Sequence, residues 1–195
     1  MKNPIFVALD LDSNEQALTV AKAVSPYVGG FKLGPRLVYK YGADFVSQMA
    51  GLGKIFVDNK YYDIPSTMES DIRATFAAGA SYATIHAGSG PEAMKRLAHV
   101  EAELSQERFF KILAVTVHTS FDQQNLPVNW QKQPIEKQVL ALAQEAIDCG
   151  LSGLVCSAKE VQVLRQKFPE SFLVTPGIRL PDADAGDQKR VVAPK

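Results

Sequence analysis

The 195-residue sequence predicts an α/β fold, a (β/α)8 barrel of the TIM type, because apolar strand-like runs alternate with longer segments of helical spacing. The runs lack a regular polar/apolar alternation, as is typical of parallel strands that are covered on both faces. Polar residues stand at the ends of separate strands along the whole chain, and a barrel gathers all its strand ends around one mouth. An open doubly wound sheet also fits the alternation, but it concentrates its site at one switch point and is therefore the less favoured interpretation.

The predicted elements form a repeated strand–helix pattern from one end of the chain to the other. We predict strands over Ile5–Leu9, Gly30–Leu33, Ile55–Val57, Tyr82–Ile85, Ile112–Val115, Gly153–Val155 and Phe172–Val174. We predict helices over Asn14–Val24, Pro35–Met49, Ser66–Ala78, Pro91–Leu104, Ile135–Cys149 and Ala158–Lys167. The sequence contains no linker, so we expect a single barrel domain over residues 1–195.

The predicted strands are one short of a complete barrel. A barrel of this type usually needs about 250 residues, and about 200 is near the lower limit. We therefore expect the barrel to be truncated before the eighth strand and helix, which would leave the edges of the first and seventh strands unpaired.

Composition and charge argue against several classes of function. The 21 basic and 21 acidic residues give a formal net charge of +0 and form no blocks of one sign, which disfavours nucleic-acid and membrane-surface binding. No apolar run approaches the ~20 residues of a membrane span. Cys149 and Cys156 are the only cysteines, and the 3 histidines lack paired ligand spacing, so we expect a reducing cytoplasm and no metal site.

Charged residues cluster where the third predicted strand ends, within residues 54–67. Because side chains alternate along a strand, Asp58 and Lys60 are expected on one side and Asn59 on the other. Asp63 follows at the start of the next helix, where a carboxylate is also favoured by the helix dipole. An exposed salt-bridge network and a catalytic site therefore both fit this stretch when it is taken alone.

Two charged residues at other predicted strand ends favour the catalytic interpretation. Asp10 stands at the end of the first strand and Lys32 at the end of the second. Alternating lysine and aspartate side chains can hold one another in their charged forms, with a substrate as the last member of the array.

A phosphate site is predicted after the seventh strand. Residues 175–179 read Thr-Pro-Gly-Ile-Arg, and residues 186–188 read Gly-Asp-Gln. The glycine lets backbone N–H groups approach an anion, and Arg179 supplies a guanidinium fork for phosphate. A turn with a surface arginine is the alternative, and the position after strand seven favours phosphate binding.

Other strand ends carry weaker signals. His86 is better explained as a structural histidine than as a general base, because no carboxylate partner is evident in the sequence. Thr119 and Ser120 would either hydrogen-bond a polar ring or cap a turn, and Cys156 with Ser157 is typical of a strand-to-helix cap rather than a nucleophile. The segment from residue 118 to about residue 133 is either an active-site lid or a surface insertion.

These residues together resemble the orotidine 5'-monophosphate decarboxylase family, whose Asp-x-Lys-x-x-Asp-Ile-x-x-Thr signature is matched by residues 58–67. The similarity continues in family order through essentially the whole chain. It includes Ala8–Asp10, Lys32–Gly34, His86–Ala87, Ala114–Ser120, Val155–Ala158, Thr175–Arg179 and Gly186–Gln188.

The resemblance implies decarboxylation of orotidine 5'-monophosphate to uridine 5'-monophosphate (UMP) without a cofactor or a metal. It implies that Lys60 protonates the ring carbon that loses carbon dioxide and that Asp58 lies beside the departing carboxylate, with Lys32 and Asp63 completing the charged array. It also implies a homodimer in which Asp63, Ile64 and Thr67 reach the neighbouring subunit's site. The implied substrate contacts are Asp10 and Lys32 at the ribose, Thr119 and Ser120 at the pyrimidine, and Arg179 and Gln188 at the phosphate.

The sequence departs from the family pattern in a few places. Asn59, Tyr62 and His118 stand where the family commonly has leucine, histidine and leucine. We expect Asn59 to face away from the site with little catalytic effect, and Tyr62 and His118 to alter packing or dimer contacts. The Gly-Arg pair of the family's eighth strand has no counterpart, so we expect one phosphate clamp to be missing.

Two other functions remain open at this level. One is a related metal-dependent sugar-phosphate decarboxylase, such as that for 3-keto-L-gulonate 6-phosphate, although Ile64, Thr67 and residues 175–179 favour the nucleotide enzyme. The other is an inactive phosphate-binding fragment.

Overall fold

The computed structural model describes residues 3–127, 130, 133–179 and 189–193, and the chain divides into two compact units. Unit 1 comprises the chain up to Ile85 together with Arg96–Ile112. Unit 2 comprises His86–Lys95 and the chain from Leu113 onward. Each unit contains parallel strands that alternate with helices.

Unit 1 holds the first strand–helix repeats. Its elements are β1 (Phe6–Ala8), α1 (Asn14–Val24), a 3₁₀ turn (Ser25–Tyr27), β2 (Gly30–Leu33), α2 (Pro35–Ala50), β3 (Lys54–Tyr61), α3 (Pro65–Ala77) and β4 (Tyr82–His86), whose last residue belongs to unit 2. The strands pair in parallel and in chain order, with Gly30 opposite both Phe6 and Lys54. The β3–β4 ladder changes register between Val57 and Tyr61, so the carboxyl end of β3 departs from regular pairing.

The core of unit 1 lies where β1–β3 pack against α1 and α2. The cluster includes the fully buried side chains of Phe31, Leu37 and Ile55. Gly30 is required at the centre of this sheet, because a Cβ atom there would lie 2.2 Å from the Lys54 carbonyl oxygen. Close strand packing of this kind fixes where the carboxyl ends of β1, β2 and β3 stand.

Unit 2 holds the later repeats. Besides parts of α4 (Pro91–Leu104) and β5 (Lys111–Val115), which cross the unit boundary, it contains 3₁₀ turns at Ala87–Ser89 and Ala158–Glu160, α5 (Ile135–Asp148), β6 (Gly153–Val155), α6 (Val161–Lys167) and β7 (Phe172–Val174). β5, β6 and β7 pair in parallel and in chain order, with Ala114 opposite Leu154 and Leu154 opposite Leu173. Among the described helices, none is long and apolar enough to cross a membrane.

The structure confirms the predicted elements and corrects two of their bounds. β3 does not end at Val57 but continues to Tyr61, because its polar second half still pairs with β4 at Ile85. The segment predicted as one helix over residues 158–167 is a 3₁₀ turn followed by α6. The other described bounds lie within a residue or two of the prediction, whereas the single-domain assignment and the truncation remain predictions.

Candidate active site

Four of the predicted site residues meet at the carboxyl ends of β1, β2 and β3, and we call Asp10, Lys32, Asp58 and Lys60 the β3 array. The Nζ atom of Lys60 lies 2.9 Å from Oδ1 of Asp58, and the Nζ atom of Lys32 lies 3.6 Å from Oδ2 of the same carboxylate. Lys32 also contacts Oδ1 of Asp10 at 3.3 Å. Positive and negative groups therefore alternate, and each ammonium group stands next to a carboxylate of opposite charge.

Exposure differs sharply across the β3 array. The Asp58 side chain is 15% exposed and that of Lys32 20%, whereas Lys60 is 36% and Asp10 63% exposed. The central carboxylate is thus held inside, while the Lys60 ammonium reaches solvent. An ammonium in that position can serve both its carboxylate partner and a bound molecule.

The floor beneath the β3 array is aromatic. The rings of Phe6, Phe56 and Tyr82 pack edge to face, with centroids 5.3 to 6.3 Å apart. Side chains two residues apart share one face of a strand, so Phe56 lies one step below Asp58 on β3. An apolar layer excludes water from below and strengthens the electrostatic interactions of the charges above it.

The backbone at Lys60 adopts a left-handed conformation, with φ at 51°, and no other described residue except glycine has a positive φ. Its N–H donates to the Thr84 hydroxyl over 2.9 Å, and that hydroxyl donates to Asp58 Oδ1 over 3.0 Å. The sequence pattern alone does not identify Thr84 as part of the site. The strand period of two, which places Tyr82, Thr84 and His86 on one face of β4, is the only sequence pattern that points to Thr84.

Asn59 lies on the other side of β3, as the alternation predicts. Its Nδ2 donates to the Tyr61 hydroxyl over 3.0 Å, and this hydroxyl is 2.6 Å from that of Thr75 on α3. Burial raises the pKa of Tyr61, and the two hydrogen bonds only partly offset that effect. The replacement of leucine by asparagine thus falls in the layer between β3 and α3.

The segment after β3 is exposed in this single chain. Oδ1 of Asp63 accepts the N–H of Ile64 over 2.6 Å, and the ion pairs described for the β3 array do not include Asp63. The side chains of Tyr62 and Ile64 are 69% and 63% exposed, while Thr67 is half-buried. The role of Asp63 in a neighbouring subunit's site therefore stays a prediction.

Two predicted pyrimidine contacts lie in unit 2, after β5. Thr119 is buried, and its carbonyl oxygen accepts the N–H groups of Lys189 and Arg190 over 3.1 and 3.2 Å. The Ser120 carbonyl accepts a bond from the Asn125 side chain over 3.3 Å. Residues 189 and 190 of the last described segment therefore hydrogen-bond to the loop that carries Thr119 and Ser120.

The predicted phosphate residues are only partly described. Gly177 has φ at 81°, which suits glycine, and its carbonyl accepts the N–H of Val192 over 3.3 Å. The N–H of Arg179 donates to the Val192 carbonyl over 3.0 Å, while the guanidinium donates to the Ile178 carbonyl over 3.0 Å. Gln188, with the rest of residues 186–188, lies outside the described residues.

His86 and Ser157 occupy structural positions. Nδ1 of His86 accepts the N–H of Gly88 over 3.0 Å, and its ring packs on that of His118 at 5.3 Å. Ser157 and Glu160 form a capping box at the 3₁₀ turn after β6, which confirms the predicted cap. Burial raises the pKa of Cys156 to about 12, so this thiol is unsuited to nucleophilic catalysis.

A second charged pair, Glu160 with Arg190, is buried in unit 2. Nη1 of Arg190 lies 2.6 Å from Oε1 of Glu160, and Nη2 donates to the carbonyls of Val117 and His118 over 2.8 and 3.2 Å. Sequence reasoning missed this pair, because nothing in the spacing of residues 160 and 190 links them.

Comparison with known proteins adds independent evidence. The family model described as "Orotidine 5'-phosphate decarboxylase / HUMPS family" matches residues 3–195. The orotidine 5'-phosphate decarboxylase of Dichelobacter nodosus is 40% identical over 195 residues, which span 99% of this chain and 84% of that protein. The enzyme of the same name from Pseudoalteromonas translucida is 37% identical over 193 residues, 98% of this chain and 82% of that protein.

Solved structures agree with the sequence relatives. The crystal structure of orotidine 5'-phosphate decarboxylase from Lactobacillus acidophilus superposes with a TM-score of 0.78 at 32% identity, and covers 91% of this chain and 82% of that chain. This likeness confirms the predicted α/β fold of the TIM-barrel class. The chain belongs to the orotidine 5'-phosphate decarboxylase / HUMPS family.

Proposed function

We propose that this protein decarboxylates orotidine 5'-monophosphate to UMP, a step of pyrimidine biosynthesis. The observation that carries the proposal is the β3 array, in which the Asp58 carboxylate lies between the ammonium groups of Lys32 and Lys60. The names of the curated relatives support the same reaction. The same names favour the nucleotide reaction over the sugar-phosphate alternative.

The reaction must stabilise an electron pair. The bond between the pyrimidine ring and its carboxylate breaks, carbon dioxide leaves, and the bonding electrons stay on the ring carbon. In our proposal the Lys60 ammonium stabilises this developing negative charge and then transfers its proton to the same carbon. Solvent restores the proton on Lys60, and no redox step is needed.

Asp58 has two roles in this proposal. Its carboxylate holds the Lys60 ammonium in place at 2.9 Å. It also stands next to the substrate carboxylate, so the repulsion between the two groups falls as carbon dioxide departs. Lys32 balances the charge of Asp58, and Asp10 and Lys32 together bind the ribose.

Contacts far from the reacting carbon supply the binding energy. We assign the phosphate to Arg179 and Gln188, and the pyrimidine to Thr119 and Ser120. A guanidinium suits phosphate because its planar fork can donate two parallel hydrogen bonds. Binding energy from the phosphate can hold the reacting carboxylate in its unfavourable position near Asp58.

We further propose a homodimer in which Asp63, Ile64 and Thr67 act in the partner's site. The exposure of Ile64 and Tyr62 beside a carboxylate supports this, because exposed large apolar side chains are common where a second chain packs. The two cysteines, Cys149 and Cys156, are free and buried, which supports a reducing compartment such as the cytoplasm. Recovery of the protein from an extracellular fraction of its source cells would refute that location.

The proposed reaction is tested by mixing the purified chain with orotidine 5'-monophosphate and following the loss of substrate absorbance. Lys60→Ala should lower the rate by ~10²- to 10⁴-fold, since it removes the general acid. Lys22→Ala, which truncates an exposed lysine on α1, is the matched control and should retain the parental rate. Absence of turnover by the parent chain, or equal rates for parent and Lys60→Ala, would refute the proposal.

The competing functions give different results in the same assay. A metal-dependent sugar-phosphate decarboxylase would lose activity in a chelator, whereas the proposed reaction should continue. A phosphate-binding protein without catalysis would bind UMP in a calorimeter but leave the substrate unchanged.

The shared site is tested by complementation between two inactive variants. Lys60→Ala and Asp63→Ala chains, co-expressed, should regain about a quarter of the parental activity if subunits pair at random, because half the dimers are mixed and each has one intact site. Each variant expressed alone should stay inactive. If the mixture is no more active than its components, Asp63 does not act across subunits.

A further inference from the structure

The Thr84 side chain lies between the two residues that carry the proposed chemistry. It is fully buried on β4, at 0% exposure. Its hydroxyl accepts the backbone N–H of Lys60 at 2.9 Å and donates to Oδ1 of Asp58 at 3.0 Å. An N–H group cannot accept a hydrogen bond, so the direction of both bonds is fixed and the hydroxyl proton points to Asp58.

These contacts close a ring through both residues. Oδ1 of Asp58 accepts from the Thr84 hydroxyl and also from the Lys60 ammonium at 2.9 Å. The Lys60 backbone in turn donates to Thr84. One hydroxyl therefore links the Asp58 carboxylate to the backbone from which the Lys60 side chain starts.

The backbone of Lys60 needs such an anchor. Its φ of 51° is a conformation that side chains other than glycine rarely adopt, and the β3–β4 ladder shifts register over the same residues. Strained backbone persists only where its surroundings hold it. The Thr84 hydroxyl supplies a bond where the regular ladder between the two strands is interrupted.

We propose that Thr84 is a positioning residue for decarboxylation, which acts by fixing the Lys60 ammonium and the Asp58 carboxylate relative to each other. The proposal rests on the proposed function and adds a residue on a neighbouring strand to it. At 0% exposure, the Thr84 side chain offers no surface to a substrate. Its loss should therefore weaken the chemical step far more than substrate binding.

Thr84→Val tests the proposal, since it keeps the shape of the side chain and removes the hydroxyl. We expect kcat to fall about 10- to 100-fold, the cost of a small misplacement of reacting groups, with KM little changed. Thr84→Ser keeps the hydroxyl and should restore most of kcat. Thr75→Val, which removes a buried hydroxyl bonded to Tyr61 on the other side of β3, is the matched control and should keep the parental kcat.

A second measurement does not depend on turnover. Hydrogen exchange of the Lys60 amide, followed by NMR, should accelerate about tenfold or more in Thr84→Val and stay slow in Thr84→Ser. The Leu9 amide, bonded to the Lys32 carbonyl at 3.0 Å, should be unaffected and controls for general loosening.

The outcomes separate the two proposals. If the parent chain does not turn over substrate, the proposed function fails, and the exchange of the Lys60 amide alone decides whether Thr84 holds this backbone. If the parent is active but Thr84→Val keeps its kcat, or if Thr84→Ser is as slow as Thr84→Val, the positioning role is refuted. Unchanged exchange at Lys60 in Thr84→Val also refutes it.

Discussion

This molecule contains two charged clusters, the β3 array in unit 1 and the Glu160–Arg190 pair in unit 2. They differ in solvent exposure and in how many hydrogen-bonding groups remain for a ligand. In the β3 array of unit 1, Lys60 is 36% exposed, and even the most covered member, Asp58, is 15% exposed. In unit 2, the side chains of Arg190 and Glu160 are only 7% and 8% exposed. Both clusters pair a carboxylate with a basic side chain, so a cluster of opposite charges does not by itself identify a site.

Hydrogen bonding makes the difference plain. In the buried pair, Arg190 gives its Nη atoms to Glu160 and to two carbonyls, and Glu160 also accepts the N–H of Ser157 at 3.0 Å. Nε of Arg190 has no hydrogen-bond partner among the described residues, but it is buried, so the pair offers little to a ligand. In the β3 array the Lys60 ammonium has donors to spare and solvent access, so it can serve a substrate.

If the buried pair is structural, breaking it should unfold the protein more easily. Arg190→Met should lower the free energy of unfolding by about 3–5 kcal/mol, because it leaves the Glu160 carboxylate buried without its partner. Denaturant unfolding followed by circular dichroism measures this. Arg36→Met, in an exposed pair with Asp12 at 3.3 Å, is the matched control and should cost about 1 kcal/mol or less. Equal losses in the two variants would show that the contrast with the β3 array is wrong.

The buried pair should also have a characteristic pH dependence. Burial raises the pKa of Glu160 above its ordinary value, an effect that outweighs the neighbouring Arg190. The Glu160 carboxyl group therefore binds its proton more tightly in the folded state than in the unfolded chain. The contribution of the Glu160 carboxyl group to stability is therefore fully present below the ordinary glutamate pKa. It is lost as the pH rises through the raised pKa of the folded state.

Glu160→Gln removes that titration. The free energy of unfolding of the parent minus that of the variant should therefore decrease as the pH rises from the ordinary glutamate pKa towards neutrality. Denaturant unfolding at a series of pH values measures the difference. A difference that stays constant, or that increases with pH, would contradict a raised pKa at Glu160.

The same contrast explains what the sequence could predict. Asp58 and Lys60 were placed correctly on one side of β3, and Asn59 on the other, because a strand's period of two is a local property. The convergence of Lys32 with Asp58 followed from parallel strands ending at one edge. Each of these inferences needs only short segments and the rule that parallel strands align.

Other features depend on partners that local pattern does not reveal. Thr84 bonds Lys60 and Asp58 only because β3 and β4 change register there, and the pairing of Glu160 with Arg190 joins residues with no periodic relation. Asp63 fits the family signature, yet its contacts within unit 1 do not join the β3 array. Its proposed role needs a second chain, which no single sequence displays.

The smallest predicted effect concerns the backbone of Lys60. The proposed reaction needs a lysine there, whereas the left-handed backbone would be more stable with glycine. A left-handed conformation costs a residue with a side chain roughly 1 kcal/mol, and glycine avoids that cost. The free energy of unfolding of Lys60→Gly should therefore be up to about 1 kcal/mol higher than that of Lys60→Ala. Both variants lack the proposed general acid and should be equally inactive. Denaturant unfolding of the two variants, side by side, isolates the backbone, because neither carries the ammonium group. If Lys60→Ala is as stable as Lys60→Gly, the positive φ carries no strain, and the contrast with the buried pair then rests on solvent access and hydrogen-bonding capacity alone.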